Sequence, residues 1–189
     1  MYRLVKRAAD ILGALILLVL ASPVLLLVAI AIPLDSPGSP IFTQARMGRG
    51  GRPFTIFKFR TMRKGGEAGP VLTQVGDHRI TKLGAFLRRT SIDELPQLFN
   101  ILKGDMSFIG PRPEVPSIVE SEWSEDDKAR VLSVLPGLSG WAQIHGRDDL
   151  DIPTKLGYDR AYAERIGLGL DLLILFKTPI VLLTGEGIK

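Results

Sequence analysis

From Ile11 to Leu34 the chain runs for 24 residues without a charged side chain. As a straight helix at ~1.5 Å per residue, such a run is about 36 Å long, enough to cross a bilayer core of ~30 Å. Arg3, Lys6 and Arg7 ahead of the run and a cleavage-like Val19-x-Ala21 suit a secretory signal, but the apolar stretch continues well past that site. A spanning helix and a re-entrant hairpin are left. Ser22-Pro23 lies at the middle of the run, where proline removes a backbone N–H and a kink is expected. Basic residues flank both sides, with Arg46, Arg49 and Arg52 downstream, which places both flanks in the cytoplasm and favours the hairpin. A proline-kinked span satisfies the same length, so both topologies stand at this point.

Asp35-Ser36-Pro37-Gly38-Ser39-Pro40 is a turn-rich exit from the apolar segment. Between Arg46 and Lys64 there are seven basic residues and no acidic one. Arg46, Arg49 and Arg52 suit anionic lipid headgroups. Phe54 to Met62 alternates as a short strand does, which sets Lys58 and Arg60 among aromatics on an ordered element and fits them for a fixed site. Residues 65–79 are rich in glycine and read as a loop, with His78 at the surface; Thr81 to Arg89 follows as a short amphipathic helix.

Ser91-Ile92-Asp93-Glu94-Leu95-Pro96-Gln97-Leu98 reads as a helix start. Ser91 takes the N-cap, Glu94 completes a capping box, and Leu95, Leu98, Phe99 and Leu102 form the apolar stripe behind. Two adjacent carboxylates then lie in a first helical turn, where the helix dipole keeps them ionised and favours nearby phosphate. Arg88 and Arg89 precede them and Pro111-Arg112-Pro113 follows. Such a set suits a metal-bridged phosphate site, whereas the same Ser-x-x-Glu pattern elsewhere only caps helices.

Glu114 to Val134 is acidic and helical in pattern, with its charges on a solvated face. Pro136 to Ile144 is punctuated by glycines, a run that brings backbone close to something; Gln143 and Arg147 beside it are polar groups able to read a ligand, and Trp141 is assigned to the core. Thr154 to Ile166 is helical. Leu168 to Leu183 is strongly apolar again, but Asp171 and Lys177 make a second span expensive, and a helix lying in the membrane interface fits better.

Hydrophobic residues make up 46% of the 189, an excess that these two terminal segments absorb. The chain has no cysteine, which excludes disulfides, thiolate zinc sites and cysteine nucleophiles, and its two histidines give little material for a histidine metal site. A net charge of +4 suits an anionic partner.

Taken in order, Lys58-Phe59-Arg60-Thr61-Met62, the Thr90 to Leu98 stretch, Asn100-Ile101-Leu102-Lys103-Gly104-Asp105-Met106-Ser107, Gly110-Pro111-Arg112-Pro113, and Pro136-Gly137 with Gly140-Trp141 resemble the bacterial sugar transferase family. These are small monotopic phosphoglycosyl transferases that begin lipid-linked glycan assembly, and the resemblance covers nearly the whole chain. It implies an α+β, helix-rich fold. Residues 1–35 would be a re-entrant membrane anchor broken at Ser22 and Pro23, and residues 36–189 a catalytic domain with a small β element and interfacial amphipathic helices. It further implies transfer of a phosphosugar from a UDP-sugar to undecaprenyl phosphate with release of UMP, through a covalent aspartyl intermediate and with Mg²⁺. The setting would be the cytoplasmic face of the bacterial inner membrane, with a homodimer left open.

The residues support that chemistry in physical terms. Donor and acceptor both carry phosphate and repel one another, and a protein carboxylate divides the transfer into two displacements. Asp93 is the expected nucleophile. Mg²⁺ needs only one or two carboxylates besides the diphosphate, which Asp93 and Glu94 supply. Glu94 is equally suited to hold the metal, orient the acceptor or take a proton. Arg112, between two prolines, is the candidate for the nucleotide; Lys58, Arg60 and Arg88 are candidates for phosphate, and Arg147 for the sugar or nucleotide. The competing reading is a non-enzymatic, membrane-anchored module that binds anionic lipid or a partner, with Asp93 and Glu94 merely capping. Nucleic acid is not expected, since the membrane segment leaves no clear docking element.

Overall fold

A computed structural model describes residues 1–66, 77–146 and 149–184. The apolar run forms one helix, α1 (Tyr2–Asp35), which contains Pro23 and Pro33. Helix continues through Ser22-Pro23. Pro23 has no N–H to offer the Val19 carbonyl one turn back, and the Ser22 hydroxyl donates to that carbonyl instead, at 2.8 Å. The expected interruption is therefore a missing backbone bond that its neighbour replaces.

Most large apolar side chains of α1 are exposed, and only Asp10, Ala14, Val28 and Ile32 are buried. Both ends of the helix nevertheless pack on the rest of the chain. Ala14 joins Leu98, Ile101 and Met106 in one apolar cluster, while Val28 and Ile32 join Phe59 and Leu87 in another. The N-terminal end is also tied down by polar groups. Arg7 donates to the carbonyls of Ile101 and Leu102 at 2.6 and 2.9 Å. Asp10 accepts from the Ser107 hydroxyl and the Phe108 N–H, both at 3.1 Å, and Lys6 pairs with Asp171.

After α1 comes an antiparallel hairpin of β1 (Ile41–Met47) and β2 (Pro53–Phe59), in a register that pairs Ile41 with Phe59 and Met47 with Pro53. The other edge of β2 is paired by a side chain. Fully buried Asn100 accepts from the Phe57 N–H at 3.0 Å and donates to the Thr55 carbonyl at 2.7 Å, the two bonds a third strand would supply. This fastens β2 to α3 (Leu98–Lys103), and α2 (Lys82–Arg89) precedes it, capped by the Thr81 hydroxyl.

Two three-residue strands, β3 (Ser107–Ile109) and β4 (Gly137–Ser139), pair in parallel. The glycine-punctuated run thus approaches Gly110. A Cβ on Gly137 would lie 2.1 Å from the Gly110 nitrogen, and one on Gly140 would lie 2.1 Å from the Gly110 oxygen. The acidic segment expected as one helix is two, α4 (Pro116–Glu122) and α5 (Glu125–Val131). Trp123 is buried between them with Met47, Val119, Val131 and Leu156, and Ser124 with Asp127 forms a true capping box that starts α5 anew. Helices α6 (Ile152–Arg165) and α7 (Leu168–Thr184) follow; α7 buries Asp171 and Ile174 and exposes Leu172, Leu175, Phe176 and Ile180.

Candidate active site

The Asp93-Glu94 segment differs from its expected form in winding and in capping. Ile92–Gln97 is a 3₁₀ turn leading into α3, and Ser91 makes no capping side-chain bond. Pro96 lacks the N–H that an α-helical turn would direct at Ile92, which favours the tighter winding. Ser91 itself adopts φ 55° and ψ 19°, the one left-handed non-glycine residue among those described. The chain therefore reverses sharply just before the carboxylates, and both still lie in the first turn.

The two carboxylates occupy unlike environments. Glu94 Oε1 accepts from Lys58 Nζ at 2.8 Å and from Arg112 Nη2 at 3.1 Å, so a residue from β2 and a residue from the Pro111-Arg112-Pro113 turn converge on it. Burial pulls the Lys58 amine down from the usual lysine range, an effect that Glu94 opposes. Asp93 is 9% exposed and forms no hydrogen bond or ion pair among the described residues. Burial, and then the neighbouring Glu94 charge, pushes its carboxyl up to about 6, against the pull of Lys58, Arg88 and Arg112. Arg88 donates from Nε to the Thr61 hydroxyl at 2.9 Å, which holds it near Asp93.

The Arg112 turn is fixed from several sides. Gly137 N–H donates to the Pro111 carbonyl at 2.8 Å, Arg46 Nη1 to the Pro113 carbonyl at 3.0 Å, and Met47 N–H to the Glu114 carbonyl at 2.8 Å. Arg46, expected at lipid headgroups, is thus a structural strut of the site. Burial and the nearby Arg112 charge hold its guanidinium down to about 10.

Lys58, Asp93, Glu94, Arg88 and Arg112 are therefore brought together as the sequence suggests. Arg60 is not. It lies one residue past the end of β2, is buried, and donates to the carbonyls of Ser36 and Pro37, closing the turn after α1. Its alternation with Lys58 misleads because the strand stops between them. Gln143 is buried beside Gly140, with neither side-chain polar atom hydrogen-bonded among the described residues. Arg147 lies outside the described residues.

Among the described residues no group of three or more acidic or histidine side chains converges as a metal cage. The Asp93-Glu94 pair fits a magnesium ion in the form that magnesium favours, with one or two protein carboxylates and the remaining ligands from phosphate and water. That Asp93 accepts no hydrogen bond among the described residues suits that arrangement.

The sequence profile described as bacterial sugar transferase matches residues 1–185. The chain belongs to this family. Among its relatives is the UDP-N-acetylgalactosamine-undecaprenyl-phosphate N-acetylgalactosaminephosphotransferase of Aeromonas hydrophila, 45% identical over 193 residues that cover 100% of this chain and 46% of that protein. The UDP-glucose:undecaprenyl-phosphate glucose-1-phosphate transferases of Escherichia coli and Caulobacter vibrioides are 44% and 41% identical, over 93% and 96% of this chain and 39% and 70% of theirs. This sugar transferase chain spans less than half the length of the first two.

Proposed function

We propose that this chain is a phosphoglycosyl transferase that moves a phosphosugar from a UDP-sugar to undecaprenyl phosphate through a covalent intermediate on Asp93. The observation that carries the reading is the division between the carboxylates. Glu94 pairs with two cations, whereas Asp93 forms no hydrogen bond or ion pair among the described residues, and its basicity is raised by burial. The relatives named as sugar phosphotransferases support the substrate classes.

In the first step an Asp93 carboxylate oxygen attacks the sugar-bearing phosphorus of the donor. A new phosphorus–oxygen bond forms, the bond to UMP breaks, and its electrons leave on the UMP phosphate. In the second, a phosphate oxygen of undecaprenyl phosphate attacks the same phosphorus and the aspartyl bond breaks, restoring the carboxylate. No proton is consumed. Arg112 and Lys58, now held by Glu94, turn to the donor's diphosphate and hold its accumulating charge, with Arg88 beside Asp93. A magnesium ion held by Asp93 and Glu94 would add further charge neutralisation at the leaving UMP.

The packing of α1 supports a one-leaflet topology, and the basic residues on both flanks of the apolar run favour the cytoplasmic face. Asp10 and Ile32 both contact the body, although a straight helix would set them about 33 Å apart, roughly a bilayer core. A perpendicular span would carry one of these contacts to the far side. The acceptor's phosphate then meets a site at interface depth without its tail leaving the leaflet.

Asp93→Asn tests the chemistry. It should abolish UMP release from UDP-sugars while preserving membrane association, and mass spectrometry of wild type stopped before acceptor is added should find the phosphosugar on the Asp93 peptide. Surviving turnover, or an adduct on another residue, would refute the assignment. Arg3→Cys and Ser39→Cys test the topology: both should react with an impermeant thiol reagent from the cytoplasmic side, and labelling from opposite sides would establish a full span.

A further inference from the structure

The segment from Asp93 to Arg112 folds back on itself, so that Glu94 near one end accepts from the Arg112 guanidinium at the other. Its two arms are α3 and β3, and the bend between them is Gly104-Asp105-Met106, opened by Gly104 at φ 92°. The carboxylates and Arg112 lie at the free ends of these arms. One turn of α1 grips both arms beside the bend. Arg7 donates to the carbonyls of Ile101 and Leu102 in the last turn of α3, where a cation also meets the negative end of the helix. Its guanidinium reaches the bend itself, 3.4 Å from where a Cβ on Gly104 would lie. Three residues on, Asp10 accepts from the Ser107 hydroxyl and the Phe108 N–H at the start of β3, both at 3.1 Å.

Of these two side chains, Asp10 bears on Arg112 more directly. Strand β3 has three residues and pairs with β4 through Ser107 and Ile109. Phe108 lies between them, so its N–H faces the opposite edge, and there Asp10 receives it where a further strand would. Asp10 thus does for β3 what Asn100 does for β2. Pairing on one edge alone would let so short a strand swing about β4; the contact with α1 closes the other side. A swing would be passed on, because β3 ends three residues before Arg112 and the prolines flanking Arg112 leave few rotatable bonds to absorb it. Asp10 is 4% exposed at the head of the charge-free run, and its Oδ2 makes no hydrogen bond among the described residues. A carboxylate buried there is unfavourable unless it is bonded, and both bonds of its Oδ1 go to β3.

We infer that Asp10 is a positioning residue: from α1 its carboxylate fixes the outer edge of β3 and through it the Arg112 turn, so that affinity for the donor's nucleotide phosphates depends on a side chain of the apolar helix. The inference rests on the reading of Arg112 as a phosphate ligand. The helix that anchors the chain is then also part of the frame of its active site.

The test uses the full chain in nanodiscs, with UMP as the probe. Asp10→Ala removes both bonds, whereas Asp10→Asn keeps an oxygen to accept them. Asp10→Ala should raise the UMP dissociation constant and the KM for UDP-sugar about tenfold, the size of a charge-assisted hydrogen bond. Asp10→Asn should bring both back to within about threefold of wild type. Ser107→Ala loses the hydroxyl bond and leaves the Phe108 bond, and should give an intermediate rise of about threefold. Hydrogen exchange at the Phe108 amide should quicken in Asp10→Ala. In the Arg112→Ala background, Asp10→Ala should have little further effect on UMP affinity. An Asp10→Ala chain that melts lower but binds UMP as tightly as wild type would mean that the contact only seats α1, and would overturn the inference. So would fully additive effects of the two substitutions, or an Asp10→Asn chain no better than Asp10→Ala. If Asp10→Ala does not fold, unchanged UMP affinity in Ser107→Ala overturns it. UMP binding without transfer by the wild type would sink the proposed reaction but leave this test intact, and no UMP binding at all would overturn both.

Discussion

Two turns meet at the site, and they are built in opposite ways. The Pro111-Arg112-Pro113 turn is restrained by proline, and its carbonyls are taken by Gly137 and Arg46. The Ser91 to Gln97 turn opens on a left-handed serine, winds as 3₁₀, and presents a buried carboxylate that makes no hydrogen bond among the described residues. In the proposed reaction the binding cation, Arg112, is thus preorganised, and the nucleophile, Asp93, makes no hydrogen bond among the described residues. Electrostatic catalysis needs donors fixed before charge develops, whereas a nucleophile tied into hydrogen bonds is a weak one. The contrast also locates instability: stabilising contacts belong to the first turn and strain to the second.

Removing the charge from the under-satisfied turn should give the largest effect. Asp93→Asn is expected to lower turnover by roughly 10⁴-fold or more and yet to stabilise the fold. The sign follows from linkage. The carboxyl, raised to about 6, binds its proton more tightly in the folded chain than in the unfolded one, so its ionised form destabilises at neutral pH. That penalty, on the order of 1–3 kcal/mol, is fully present above pH 6, shrinks as pH falls through that value, and vanishes below the ordinary aspartate range near 4. Thermal melts of wild type and variant from pH 8 to pH 4 should converge accordingly. A variant less stable than wild type at pH 8 would show that Asp93 is held by attraction, and the contrast between the turns would fail. For the ligand-free enzyme, kcat/KM should fall about tenfold per pH unit below 6, as the nucleophile is protonated.

The gathering of Lys58, Asp93, Glu94 and Arg112 was legible in the sequence because each lies in a short motif with strong local constraints, such as Arg112 between two prolines. The apolar helix was legible from the absence of charge alone. What escaped depends on distant partners. Arg60 shares a strand-like spacing with Lys58, but β2 ends at Phe59 and the guanidinium turns to Ser36 and Pro37. Strands β3 and β4 are three residues each, too short for any period, and their pairing relies on glycines that let two backbones touch. The break between α4 and α5 did carry a signal, since Ser124 and Asp127 have capping-box spacing. Asp10 carried none; one aspartate ahead of an apolar run reads as a solvated helix end until burial is known.

The braced turn makes the next prediction. Gly137→Ala would place a Cβ 2.1 Å from the Gly110 nitrogen and 2.4 Å from the Ser139 oxygen, both backbone atoms that cannot swing aside. The strands must separate, which should cost about 2–3 kcal/mol and release the Pro111 carbonyl from its donor. KM for the UDP-sugar should then rise more than kcat falls. Equal losses in both would mean that the brace serves the fold and not the pose of Arg112.

The smallest effect should come from the strained end. Ser91 holds φ 55°, which a side chain branched at Cβ tolerates poorly. Ser91→Val should therefore cost about 1–2 kcal/mol, and its functional consequence distinguishes two views of the reversal. If the left-handed residue aims Asp93, the chain can relieve the strain only by turning the following 3₁₀ residues, and kcat should fall while UMP affinity, set by the Arg112 turn, holds. If the reversal is only a connection between α2 and α3, melting temperature drops and both kinetic parameters stay. The first outcome is expected, because Asp93 is two residues away and, among the described residues, no side-chain bond of its own holds it in place once the backbone rotates.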